Sequence, residues 1–152
     1  MSKIIQALLS GIFFTFFLDF FLFLGIKTNY IDSYEIDLYY NILFVDNQNI
    51  FIFTFLTLLF GYVTLYRSNT TSLLLITPAF ILSLATLITP IGAYVGKSLL
   101  MQQNVSFQTK KFTYHGDIIY NGRTTLSFYD YKIDKVLTID KNKIRGEYIN
   151  EI

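Results

Sequence analysis

The sequence predicts a membrane α-helical protein with three transmembrane helices, followed by a small C-terminal all-β module (a meander or an SH3/Sm-like barrel). Three observations carry that prediction. Hydrophobic residues make up 53% of the chain and charged residues only 15%, where an ordinary soluble domain has about 25% charged. The few charges are segregated: residues 4–26 contain only Asp19 and residues 49–96 only Arg67, whereas the chain from Lys97 onward holds nine bases and six acids. Finally, residues 72–96 carry no charge at all and join the apolar front to the polar back. The expected division is a helical membrane part over 1–101 and a β-rich part over 102–152.

The first span is 4–26. A hydrocarbon core of about 30 Å needs roughly 20 helical residues, and this run is long enough. A cleaved signal peptide has an apolar core of about 7–15 residues followed by small ones. Here the apolar run is longer and ends in Phe21, Leu22, Phe23 and Leu24, so it reads as a retained helix. In the next connection, Ile31, Tyr34, Leu38, Ile42 and Val45 recur at three- and four-residue spacing. That pattern, with Tyr30, Tyr34, Tyr39 and Tyr40 suited to the membrane–water boundary, predicts an interfacial amphipathic helix over 31–45. An aromatic-rich ordered loop is the rival reading.

The second span, 50–66, is near the lower length limit for crossing, but it is too long for an ordinary strand. A polar connection over 67–71 makes it a helical hairpin with the third span, 72–96. The third span contains Pro78 and Pro90, which remove backbone donors and predict kinks. Thr77, Ser83, Thr86 and Thr89 offer hydroxyls to the freed carbonyls. Gly61, and the Gly92-x-x-x-Gly96 spacing with Ala93 beside it, are positions where another helix can approach closely.

Strand-like composition follows at 106–114, 117–120, 124–129 and 135–139. Asn121-Gly122 suits a two-residue hairpin turn with positive φ at both positions. His115-Gly116-Asp117 and Asp130-Tyr131-Lys132 read as further turns. Leu126 and Phe128, then Leu137 and Ile139, alternate with polar residues and mark one apolar face. A sheet this small is marginal alone, so it is expected to pack on the membrane part or on another copy.

Candidate chemistry is sparse. Cysteine is absent and His115 is the only histidine, which excludes disulfides, thiolate sites and a Cys nucleophile. No phosphate-binding loop, nucleophile elbow, zinc helix or dinucleotide fingerprint occurs. No catalytic residue, cofactor, metal or nucleic-acid partner is expected. Asp19 is the exception to the apolar pattern, since an acid within a span costs about 2.5–3.5 kcal/mol at its centre. It reads as a polar contact to another helix, as a carboxylate hydrated near the boundary, or as an ion or proton site. Lys110-Lys111 reads as a solvated strand face or a lipid-headgroup contact, and Asp130/Asp134 as turn chemistry.

These features point to a non-catalytic accessory subunit of a membrane complex, its β module docking a partner. The expected partners are the lipid bilayer and other membrane subunits or further copies. A channel-like homo-oligomer using Asp19 and the kinked third span is the alternative, and an immunity or phage-defence protein is a third. The high Phe, Ile, Tyr, Asn and Lys usage suggests AT-biased coding and so a bacterial source, whose inner membrane is the expected location. Basic charge before the first helix, with acids after Lys27, places the N-terminus in the cytoplasm and the β module outside, although Lys97 and Lys110-Lys111 pull the other way.

Overall fold

The computed structural model describes residues 2–109 and 112–150, with 145–150 described by backbone alone. Among the described residues the chain forms α1 (Lys3–Ile26), α2 (Tyr40–Asn47), α3 (Ile50–Tyr66), α4 (Asn69–Ala85) and α5 (Thr89–Leu100), then a five-stranded sheet.

Ser2 caps α1 by accepting from the Ile5 amide. The helix continues through a π turn (Lys27–Ile31) and a 3-10 turn (Asp32–Tyr34). The resulting 32-residue helix, Lys3–Tyr34, is long and apolar enough to span a membrane. Three continuous spans are not observed. Helices α3 and α4 have 17 residues each, about 26 Å at ~1.5 Å per residue. Each reaches spanning length only together with a bent neighbour: α2 meets α3 at 87° and α4 meets α5 at 94°.

The expected third span, 72–96, is therefore broken, and Pro90 is the reason. Without an N–H it cannot serve the carbonyl four residues back, that of Thr86. The chain turns at 86–88, and Pro90 begins a new helix, where its missing donor costs nothing. Pro78 behaves differently: α4 runs through it unbroken. The expected interfacial helix over 31–45 also changes. Residues 31–34 finish the first helix, Glu35 turns at φ 56°, and α2 starts only at Tyr40.

Helix α1 is the centre of the bundle. It runs antiparallel to α3 at very close range. A Cβ built on Gly11 would lie 1.9 Å from the Thr57 carbonyl oxygen, and one on Gly61 2.2 Å from that of Ala7. Parallel to α1 on its other side, α4 donates from Ser83 Oγ to the Leu18 carbonyl (2.5 Å) and sets Phe80 edge-on to Phe14. The hairpin between α3 and α4 is tight. Ser68 caps α4, and Ser72 Oγ donates to the Val63 carbonyl (2.8 Å). Large apolar side chains cover the outer faces, among them Phe51 (83% exposed), Leu74 (70%) and Leu82 (71%).

A single residue, Met101, separates α5 from β1 (Gln102–Thr109). Strands β2 (Thr113–Asn121), β3 (Thr125–Asp130) and β4 (Lys135–Asp140) continue an antiparallel meander, and β5 (Ile144–Asn150) pairs back on β1. The order is β4-β3-β2-β1-β5. Val105, Phe107, Ile118, Leu126 and Phe128 form its own core. Two expected turns shift. His115-Gly116-Asp117 lies inside β2, where Gly116 lets the Tyr129 carbonyl approach to within 1.8 Å of a built Cβ. Asn121 still pairs with Leu126, so the β2–β3 reversal falls at Arg123-Thr124, not at Asn121-Gly122. Gly122 has ordinary φ and instead admits the Tyr120 ring. The Asp130-Tyr131-Lys132 turn forms as expected, completed by Asp134 at φ 54°.

Overpacking the α1–α3 seam should be costly because the obstacle is backbone. Gly11→Val is expected to destabilise the protein by about 1–3 kcal/mol, while Leu74→Val on the outer face changes little. Denaturant titration in micelles, followed by far-ultraviolet circular dichroism, checks both.

Candidate functional site

Two polar constellations stand out: one inside the helical seam, one where helices meet the sheet. In the seam, Asp19 is 8% exposed and its Oδ2 accepts from Gln48 Nε2 at 2.9 Å. Gln48 lies in the elbow between α2 and α3, so Asp19 is level with the start of α3 and not with the middle of the bundle. Thr15 and Gly11 precede Asp19 at four-residue intervals and share its buried face. Thr57, four residues before Gly61, occupies the facing stripe of α3. Thr15 Oγ1, Thr57 Oγ1 and Gln48 Oε1 are buried without a hydrogen-bond partner.

The second constellation grows from the π turn. Its wider winding turns three consecutive residues, Asn29, Tyr30 and Ile31, into buried positions. Asn29 Nδ2 donates to the Thr86 carbonyl (2.9 Å), the group that Pro90 leaves without a helical donor. Gly92 admits that carbonyl and Asn29, and Gly96 admits the Tyr30 ring; Cβ atoms there would lie at 2.1 Å and 2.4 Å. The Gly92/Gly96 face thus packs within the chain, with Ala93 only half-buried beside it. Tyr30 Oη donates to the Ile119 carbonyl in β2 (3.0 Å). Ile26, Tyr30, Ile31 and Leu43 share one core with Ile119 and Tyr120.

Asp46, on α2, completes the join. Its Oδ2 accepts from Tyr120 Oη (2.8 Å) and its Oδ1 pairs with Arg123 Nε (2.7 Å). Arg123 Nη2 also reaches the Val45 carbonyl (3.3 Å). Burial first, and then the Asp46 carboxylate, push the Tyr120 hydroxyl above the ordinary tyrosine range.

Two grooves flank the connection over 35–39. One, about 580 Å³, lies between α2 and the β2–β3 reversal. The other, about 620 Å³, is lined by 33–37 and by Tyr129, Asp134, Lys135, Val136 and Thr138. It runs beside β4, an edge of the sheet with no further strand on its outer side among the described residues. Glu35, Asp37 and Asp134 give it an acidic lining, against the single base Lys135.

Of the remaining expected residues, Asp134 lines the second groove and the others sit apart from these sites. His115 Nδ1 hydrogen-bonds Ser106 Oγ across β1–β2 (2.7 Å). Asp130 accepts from the Lys132 amide (2.7 Å), and Asp134 from the Tyr129 hydroxyl, so the pair does turn work. Lys110-Lys111 lies outside the described residues. No cluster of three or more His, Cys, Asp or Glu suited to a metal occurs among the described residues. Asn29, Tyr30, Asp46 and Gln48 were not singled out as site residues from sequence. Each is an ordinary polar residue in a connection, and only the fold gives it a partner. No family model, curated protein or solved structure matches the chain.

The Asp46 contacts make a graded prediction. Asp46→Ala strands the buried Tyr120 hydroxyl and should cost about 1–3 kcal/mol. Arg123→Ala, at a largely exposed side chain, should cost no more than about 1 kcal/mol. Thermal unfolding of the purified variants ranks them. A second prediction concerns alkali. The folded-state pKa of Tyr120 lies above its unfolded value of about 10. Its contribution is therefore fully present below about pH 10 and is lost as pH rises through the folded value. Tyr120→Phe should flatten that alkaline decline relative to wild type in unfolding curves taken across the range.

Proposed function

We propose that the chain is a non-catalytic accessory subunit of a membrane complex, a scaffold that holds a small sheet at the membrane surface for a partner to dock on. In this reading α1, α3 and α4 cross the bilayer, while α2 and α5, tipped by 87° and 94°, lie along the boundary beneath the sheet. A 17-residue helix is at the short end of what crosses, and tipping the flanking segments over removes the need for more. The outward apolar faces of α1, α3 and α4 support lipid contact, as does the placement of Lys3 and Arg67 at the opposite end from the sheet. The orientation follows the first helix, which usually dominates: Lys3 before it and acids after Lys27 favour a cytoplasmic N-terminus and a sheet on the outer side of a bacterial inner membrane, against the pull of Lys27 and Lys97 at the sheet end.

The open edge of β4, with the acidic groove alongside, is the observation that carries the docking role. An unpaired edge is a template for an added strand, and alternate side chains of that strand would enter the groove. The acidic lining selects an extended, basic segment of a partner subunit.

Because the chain has no cysteine, Thr138→Cys places one thiol at this edge. An impermeant maleimide should label it from outside intact cells. A short thiol-directed photocrosslinker on it should join one reproducible membrane partner, which Val136→Pro in the same background would abolish. Labelling only after lysis would reverse the orientation. Crosslinks solely to further copies would favour the homo-oligomer, and none at all would remove the docking role.

A further inference from the structure

We propose that the α1–α3 seam beneath the α2–α3 elbow binds a small monovalent metal cation, with Asp19, Gln48 and Thr15 as oxygen ligands. This stands independently of the docking reading, since it concerns the opposite side of the elbow.

The first argument is charge. Asp19 is buried in an apolar bundle, and its described partner is the neutral amide of Gln48. No basic side chain pairs with it among the described residues. A buried carboxylate without a cation is expensive. One positive charge neutralises it, whereas a divalent ion would leave an uncompensated charge in the same low-dielectric surroundings.

The second argument is the set of oxygens. Gln48 spends its Nε2 on Asp19, and its Oε1 is left buried and unpartnered within the same amide group. Thr15 is 0% exposed and its Oγ1 is also unpartnered. Three helical hydroxyls donate to the carbonyl four residues back: Thr28 to Leu24, Thr64 to Phe60, and Ser98 to Tyr94. Thr15 does not. It stands between Gly11, which abuts Thr57 of α3, and Asp19, which meets Gln48, so its hydroxyl faces the seam. Carboxylate, amide and hydroxyl oxygens are the donors a hard cation takes.

The third argument is position. The site lies at the break of a bent helix pair, beside the C-terminal end of α2. That end carries the negative pole of the helix, which favours a cation. Broken helices are where membrane proteins place ions. Thr57, deeper in the same seam, adds a further buried oxygen.

Sodium is the probe. Full-length protein in detergent is treated with dicyclohexylcarbodiimide, which modifies protonated carboxyls in apolar surroundings, and the modified residue is located by peptide mass spectrometry. Asp19→Asn provides the blank. Sodium chloride is expected to slow modification of Asp19 several-fold relative to the same concentration of choline chloride. Thr15→Val, which keeps the side-chain shape, and Gln48→Leu should abolish that protection while leaving elution volume unchanged. Equal rates in sodium and choline would mean that the seam holds protons or water only and would overturn the proposal. So would an Asp19 that is unreactive in both salts at acid pH.

Discussion

The carbonyl of Thr86 is the group on which the architecture turns. Pro90 deprives it of a helical donor, and a bare carbonyl in an apolar bundle costs several kcal/mol. Asn29 supplies the replacement. Reaching it requires the π turn, because an α-helical continuation of α1 would not bring Asn29, Tyr30 and Ile31 inward together. Thr86 is held from the other side as well, with its hydroxyl donating to the Ser83 carbonyl at 2.6 Å and lying within reach of the Phe21 carbonyl. Gly25 and Gly92 both close on this residue. One proline, one asparagine and two glycines thereby set a right-angle bend and fix α5 across the end of α1.

The bend has a consequence for the sheet. Since α5 leads into β1 through Met101 alone, the direction of α5 becomes the direction of β1. Tyr30 then reaches Ile119, and Asp46 reaches Tyr120 and Arg123, so the sheet is held at two separated points. Ile119 and Tyr120 face the helices while Ile118 faces the sheet's own core. The irregular register between Ile118 and Tyr120 is what allows neighbouring residues of one strand to serve both. A small sheet that would be marginal alone is stabilised by sharing a core with the helical part. The elbow at Gln48 plays the same double part on the inner side, ending α2 and capping the polar seam around Asp19.

Much of the helical layout was legible. The apolar runs at 4–26 and 50–66 correspond closely to α1 and α3, and the short polar connection after Tyr66 does make a hairpin. Strand composition placed β3 and β4 within a residue or so. The misplacements have a common origin. Pro78 and Pro90 look alike in sequence, yet one is carried inside a helix and the other lies in the first turn of one, where Asn29 replaces the donor lost to the Thr86 carbonyl. Asn121-Gly122 suits a tight turn, but Asp46 draws Arg123 and Tyr120 toward α2 and moves the reversal two residues on. His115-Gly116-Asp117 has turn composition, yet Gly116 is needed in mid-strand for the close approach of Tyr129.

By itself, the sequence determined that an apolar helical part precedes a β-rich one, and that a lone acid lies within the former. Composition and periodicity act within a few residues and are readable there. The tertiary structure alone decided where the helices break, which glycines touch what, and that Asp19 lies under an elbow facing Gln48. Those outcomes depend on which distant group satisfies a freed carbonyl or a buried carboxylate, and pairings such as Asn29 with Thr86 are separated by too much chain for any local pattern to encode.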